Sequence, residues 1–162
     1  MSGGRALRIL LAFMMLVVLH FTLRPFLGWR TEPDFLTVAL LLAAVRVRPG
    51  TAAVIGFLLG LGRDALLLEG YGSSAIAFAF VGFGAAWLKA AFFADNLALN
   101  GFFFFLGKWA YDVMFLIVER RLEGMDLAIQ LGVWSPLSAA VTALAGVLVL
   151  IVMRPLLQAA PT

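Results

Sequence analysis

Residues 55–64 read Ile-Gly-Phe-Leu-Leu-Gly-Leu-Gly-Arg-Asp, an apolar run that ends in a charged pair. Gly56, Gly60 and Asp64 are spaced by four, so they lie on one face of a helix, and Arg63 lies on its flank. Small residues at this spacing let helix backbones approach closely in lipid. The stretch therefore predicts a closely packed transmembrane helix whose carboxylate points into a helix contact.

The composition of the whole chain agrees with a membrane protein. Of its 162 residues, 64% are hydrophobic and 13% are charged, and the mean hydropathy is +1.05. A soluble domain carries roughly a quarter charged residues, so this chain cannot build a water-facing surface. The apolar surface must face lipid, and the length of the chain indicates one domain.

Six apolar segments predict an all-α membrane protein, a single-domain bundle of about six transmembrane helices. A spanning helix needs ~20 residues, with ~17 as the lower end. The second segment has the shortest uncharged core, the eleven residues 35–45, so five spans with a re-entrant second segment is the alternative. The predicted spans are residues 7–23, 33–48, 51–68, 74–88, 101–118 and 136–153.

Pro33 and Asp34 predict the start of the second span. Proline suits the first turn of a helix because its missing N–H costs nothing there. A carboxylate is favourable at the same place because it meets the positive end of the helix dipole. Likewise, Ser135 is expected to cap the last helix, with Pro136 as its first residue.

Basic residues in the short loops predict a multi-pass protein with both termini in the cytoplasm. Cytoplasmic loops of membrane proteins carry an excess of Lys and Arg. With the N-terminus inside, the cytoplasmic side receives Arg5, Arg8, Arg46, Arg48, Lys89 and Arg154, and the outer side receives Arg24, Arg30, Arg120 and Arg121.

Charges within the apolar segments predict a buried cluster of Arg63, Asp64, Lys108 and Asp112. A charge at the centre of a spanning helix costs about 2.5–3.5 kcal/mol, so each needs a partner. Lys108 and Asp112 share one helix face, and Asp112 lies at nearly the depth of Arg63. We expect Arg63 to pair with Asp112, and Lys108 to pair with Asp112 within its own helix. The favoured interpretation is a structural clamp; an ion or proton pathway or a substrate site is the alternative.

No residue pattern indicates catalysis, a cofactor or a metal. The chain has no cysteine, and its one histidine, His20, lies in an apolar segment, which favours a role in helix packing. A metal site needs several ligands. The net charge of +3 comes from scattered basic residues, which argues against a nucleic-acid partner. We therefore expect a protein that is not an enzyme.

Three motifs occur in a characteristic order. Residues 32–36 read Glu-Pro-Asp-Phe-Leu, residues 56–64 form the glycine-lined helix that ends in Arg-Asp, and residues 70–75 read Gly-Tyr-Gly-Ser-Ser-Ala. In this order and spacing they resemble the MreD family of bacterial rod-shape-determining membrane proteins. The part of the chain that carries these motifs covers roughly residues 32–90.

The resemblance implies a fold similar to the six-helix substrate-binding subunits of energy-coupling-factor transporters. It also implies a non-enzymatic scaffold of the cell-elongation (rod-shape) machinery in the bacterial cytoplasmic membrane. The implied partners are MreC, the peptidoglycan synthase formed by RodA and its transpeptidase partner, MreB as a further candidate, and membrane lipids. The alternative function is a small-molecule-binding subunit of a transporter, although uncharged polar residues are sparse for a hydrophilic ligand.

Overall fold

The structure is a computed structural model that describes residues 3–27, 33–67, 72–92, 96–119 and 124–158. Within these ranges the chain is helical apart from short connections and contains no strand, which confirms the predicted all-α class. The helices are α1 (Gly3–Leu27), α2 (Phe35–Ala44), α3 (Pro49–Leu67), α4 (Ser73–Phe92), α5 (Leu97–Glu119), α6 (Gly124–Ile129) and α7 (Ser135–Gln158).

Helices α6 and α7 join through a π-helical turn, Gln130–Trp134, so the described residues form six helical rods. The expected cap at Ser135 is therefore wrong: this residue has helical dihedral angles, and its N–H donates to the carbonyl of Gln130. Pro136 ordinarily breaks a helix because its ring meets the carbonyl four residues earlier. The π turn shifts the hydrogen-bond register just before Pro136. The helix consequently continues through a proline that the sequence suggests as its start.

Helix α2 forms the centre of the bundle. It has ten residues and, at ~1.5 Å per residue, is about 15 Å long, roughly half the thickness of a bilayer core. Helices α1, α3, α4, α5 and α7 all contact it. A helix that is apolar on every side can form the core of a bundle, with other helices packed around it. Its buried residues are Leu36, Thr37, Val38, Ala39, Leu40, Leu41, Leu42 and Ala44.

Helices α3 and α4 make the most extensive contact in the bundle. A Cβ atom added to Gly56 would overlap the carbonyl oxygen of Phe78, and one added to Gly60 would overlap the backbone of Ser74 and Ala75. The glycine face predicted from residues 55–64 is thus the face on which α4 packs.

Consecutive helical rods run in opposite directions. The start of α2 lies beside the last turns of α3, where Arg63 contacts Asp34. At the other end of the bundle, Lys89 near the end of α4 donates to the carbonyl of Val47, just after α2. The end of the bundle at Asp34 is called the N-terminal end of α2, and the end at Val47 is called the C-terminal end of α2.

The outer surface of the bundle is apolar. Trp87 is 72% exposed, Leu144 69% and Phe80 61%. Among the described residues, two helices are long and apolar enough to cross a membrane, Leu97–Glu119 and Gly124–Met153, and shorter apolar helices cover Leu7–Thr22, Phe35–Ala44 and Ser73–Lys89. Large exposed apolar patches mark surfaces that contact membrane or protein.

Some predicted features lie outside the described residues. They are Leu68 at the end of the third span, Gly70 and Tyr71 of the third motif, Glu32 of the first motif, and the loop arginines Arg30, Arg120 and Arg121. The structure also does not describe the side chains of Arg5, Arg24 and Arg154.

Candidate functional site: a buried charge cluster

Asp34, the residue before α2, accepts polar contacts from three different helices. Arg63 of α3 donates from Nη1 to Oδ2 over 3.0 Å, and Nζ of Lys108 in α5 lies 3.4 Å from the same oxygen. Nδ1 of His20 in α1 lies 3.5 Å from Oδ1. The backbone N–H of Thr37 also donates to Oδ1 over 3.1 Å and caps the start of α2.

Burial makes these ion pairs necessary. The side chain of Asp34 is 6% exposed, that of Lys108 7% and that of Arg63 16%. An unpaired charge in so apolar a setting would cost several kcal/mol. Here both oxygens of the carboxylate have donors, and the positive end of α2 adds a favourable dipole.

Lys108 links Asp34 to a second carboxylate. Its Nζ donates to Asp112, one helical turn further along α5, as the spacing of four residues predicts. Both cations lie near the ring of Tyr111, whose centroid is 4.9 Å from Nζ of Lys108 and 5.2 Å from Cζ of Arg63. Two carboxylates thus face two cations around an aromatic ring, and cation–π attraction adds to the ion pairs.

Two further hydrogen bonds connect the cluster to the remaining helices. The backbone N–H of Asp34 donates to Oγ1 of Thr142 in α7 over 3.1 Å. The hydroxyl of Tyr111 donates to Oγ of Ser74 in α4 over 3.2 Å. One connected set of polar groups therefore joins α1, α2, α3, α4, α5 and α7.

The predicted pairing of Arg63 with Asp112 is wrong, because Arg63 pairs with Asp34. The sequence predicts that Asp34 lies at the start of a spanning helix, and therefore at the membrane surface. Helix α2 is short, however, and it begins inside the bundle, where Asp34 is 5% exposed. Its carboxylate therefore reaches both basic side chains.

Asp64 has a role different from that of the other predicted members of the cluster. Its Oδ2 accepts the backbone N–H of Ala75 in the first turn of α4 over 3.4 Å. It therefore caps the neighbouring helix where Gly60 brings α3 against the backbone of α4. The packing of Gly60 and the contact of Asp64 belong to one helix interface.

Sequence reasoning missed several members of the cluster: His20, Tyr111, Ser74 and Thr142, together with the central position of Asp34. The sequence does contain a sign that Asp34 is buried, since a carboxylate next to a short, uncharged segment is a candidate for burial. Tyr111 lies beside Asp112 in the sequence, but nothing in the spacing shows that its ring faces α3. His20 and Thr142 give no signal in an isolated segment.

The arrangement is suited to holding helices together. Formal charges within it balance, because Asp34 and Asp112 face Arg63 and Lys108. Among the described residues, no group of three or more His, Cys, Asp or Glu side chains could hold a metal ion. The polar side chains of the cluster are directed inward, and their contacts hold the helices together at the N-terminal end of α2.

The helical rods, the apolar outer surface and the inward-facing charges define the class, an all-helical membrane protein. A family model described as rod shape-determining protein MreD matches residues 4–159 of the chain. The chain therefore belongs to the MreD family, which confirms the resemblance and extends it beyond residues 32–90. No curated protein and no solved structure matches the chain, so the likeness to energy-coupling-factor subunits stays a prediction.

Proposed function

We propose that the chain is a non-enzymatic, multi-pass scaffold of the cell-elongation machinery. In this role it links MreC to the peptidoglycan synthase formed by RodA and its transpeptidase partner and so helps control cell shape, with MreB as a further candidate on the cytoplasmic side. The observation that carries the proposal is the family match across residues 4–159.

The distribution of side chains supports a scaffold. The intramembrane ion pairs join the helices to one another, whereas the outward faces offer large apolar residues such as Phe80 and Trp87. In lipid, helices associate mainly through packing. Rigid apolar faces are therefore suited to binding the spans of other proteins, and unequal affinity for a partner's states would bias its conformation.

The proposed location is the bacterial cytoplasmic membrane, with both termini in the cytoplasm. The basic residues Arg46, Arg48 and Lys89 lie at or near the C-terminal end of α2, which would then face the cytoplasm. Glu119 ends α5 and Asp126 lies in α6, at the other end of the bundle.

Co-expression with partners from the same organism, followed by purification, tests whether the chain acts as a scaffold. The full chain, carrying an affinity tag, is co-expressed with its own MreC, RodA and transpeptidase and purified in a mild detergent. We expect MreC to co-purify in a fixed ratio, and the synthase to be retained only when MreC and this chain are both present. Synthase binding to MreC that is unchanged without this chain would contradict the linking role.

The same purification separates the scaffold from the transporter alternative. Recovery of an ATP-hydrolysing module, or of a tightly bound vitamin identified by mass spectrometry, would favour a transporter subunit. An untagged chain carried through the same columns provides the background for both measurements.

A further inference from the structure

The π turn between α6 and α7 leaves one backbone carbonyl group without a partner in its own helix. In an α-helix the N–H of Ser135 would donate to the carbonyl of Leu131, four residues earlier. Here it donates to the carbonyl of Gln130, five residues earlier. In that register the carbonyl of Leu131 faces Pro136, which has no N–H. The helix that contains Leu131 therefore has no N–H for this carbonyl.

Trp109 of α5 supplies the missing donor. Its Nε1 donates to the carbonyl oxygen of Leu131 over 3.5 Å. In lipid, a backbone carbonyl without a donor is costly, and the N–H of an indole ring likewise needs an acceptor. Hydroxyl side chains often provide the donor near a proline in a spanning helix. The hydroxyl of Ser135 does not, since it is buried and has no hydrogen-bond partner among the described residues.

Helix α6 depends on this junction for its direction. None of its six residues is buried, and none of the five residues of the π turn is buried either. Met125 is 76% exposed and Ile129 is 45% exposed. Because burial against other helices does not hold α6, the turn that joins it to α7 decides where these apolar side chains point.

The junction has two alternative hydrogen-bond registers. In the α register the N–H of Ser135 takes the carbonyl of Leu131, and Trp109 loses its acceptor. One residue spans about 100° of an α-helix, so this change would turn α6 about its axis by roughly that angle relative to α7. Pro136 opposes the α register, since its ring would then meet the carbonyl of Gly132.

We propose that Trp109 is a positioning residue that stabilises the π register and thereby fixes the direction of α6. The indole N–H of Trp109 and the backbone N–H of Ser135 compete for one carbonyl, so each register leaves one of these donors without it. Pro136 disfavours the α register from within the helix, and Trp109 favours the π register from a neighbouring helix. Single π turns occur frequently at functional sites. The inference does not rest on the scaffold function, because it concerns the isolated chain.

The distance between two spin labels tests the proposal in the full chain. The native chain has no cysteine, so Asp126→Cys in α6 and Leu66→Cys near the end of α3 provide the two labelling sites. Both residues are exposed and lie at the N-terminal end of α2. A turn of α6 would therefore change the distance across the bundle. In the protein with native Trp109 and Pro136 we expect one narrow distance distribution.

Matched variants separate the two contributions. Trp109→Phe keeps an aromatic ring without the N–H and should add a second distance, displaced by roughly 5 Å as α6 turns. In the double variant Trp109→Phe/Pro136→Ala the second distance should predominate, because nothing then opposes the α register. Trp87→Phe is the control and should keep the single distance, since Trp87 is 72% exposed on α4. Circular dichroism and gel filtration confirm that each variant is folded.

The indole N–H signal of Trp109 in the ¹⁵N NMR spectrum reports the hydrogen bond directly. Its loss in Trp109→Phe assigns it, and in Pro136→Ala it should move upfield and exchange faster with D₂O as the α register gains population. An unchanged spin-label distance in both Trp109→Phe and the double variant would overturn the proposal. A second distance that appears with Pro136→Ala, and to the same extent with or without Trp109, would assign the register to the proline alone and would overturn it as well.

Discussion

Asp34 shows how one buried carboxylate can define a helix junction. It caps α2 through Thr37, pairs with Arg63 and Lys108, and lies within 3.5 Å of His20. The contacts with Arg63, Lys108 and His20 each join a different helix to the start of α2. Because removal of one member of such a set leaves other charges buried and unpaired, the cost exceeds that of a single hydrogen bond.

Replacing Asp34 with Asn should therefore destabilise the protein strongly. The amide keeps the shape but leaves Arg63 and Lys108 with less negative charge, so we expect a loss of about 3 kcal/mol or more. Asp64→Asn is the matched control and should cost about 1 kcal/mol, since the carboxylate accepts one hydrogen bond, from Ala75. Both losses of stability are measured by unfolding the purified variants with dodecyl sulfate in mixed micelles. Equal losses would contradict a central role for Asp34.

A double-mutant cycle identifies the partner of Arg63. Arg63→Met is combined with Asp34→Asn in one cycle and with Asp112→Asn in another, and stability is measured in mixed micelles. We expect the Arg63–Asp34 cycle to give the larger coupling, on the order of 1–3 kcal/mol, because these side chains are in direct contact. A larger coupling between Arg63 and Asp112 would restore the pairing suggested by the sequence.

At the scale of elements, the bundle depends on how closely α3 and α4 approach. Gly56 and Gly60 let the backbones meet, and Asp64 caps α4 in the same contact. Eight of the ten residues of helix α2 are buried, and none of the ten carries a charge. The polar side chain of His20 from α1 and the charged side chains of Arg63 from α3 and Lys108 from α5 surround its start.

Gly60→Ala should weaken the contact between α3 and α4. Its added methyl group would overlap backbone atoms of Ser74 and Ala75, which cannot turn aside as a flexible side chain can. We expect a loss of about 1–3 kcal/mol from overpacking. Gly62→Ala is the control, because its Cβ would meet nothing within 4 Å, and it should gain about 0.5–1 kcal/mol from helix propensity. Thermal unfolding in detergent compares them, and similar melting temperatures would contradict the close packing.

At the scale of the whole molecule, charge and hydropathy are arranged around one axis. The two ends of α2 differ, with the acid-centred cluster at its N-terminal end and Arg46, Arg48 and Lys89 at or near its C-terminal end. The sides of the bundle are apolar. An excess of basic residues at one end would favour one orientation of the bundle in the membrane.

Cysteine labelling tests the proposed orientation. The native chain has no cysteine, so single substitutions report one position each. We expect Asp126→Cys to react with a membrane-impermeant maleimide in intact spheroplasts, and Arg48→Cys to react only after the membrane is opened. Both residues are exposed, so access to each side of the membrane decides the result. The opposite labelling pattern would place the termini outside.

The sequence by itself determined the class of protein, the helical state of its segments and the glycine face of α3. Lipid leaves backbone groups without water, so apolar segments of this length must form helices whatever their neighbours are. The spacing of Gly56, Gly60 and Asp64 needs only the helical period. The motifs around residues 32–75 also identified the family, and the pairing of Lys108 with Asp112 follows from their spacing within one helix.

Only the tertiary structure decided how the helices meet. The partner of Arg63 depends on the depth and rotation of α2, and neither can be read within one segment. Pro136 continues a helix because the π turn before it changes the hydrogen-bond register. Contacts between residues spaced by four within one helix follow from the helical period alone. The partners of Asp34 come from other helices, because α1, α3 and α5 pack around a helix that is too short to place Asp34 at the membrane surface.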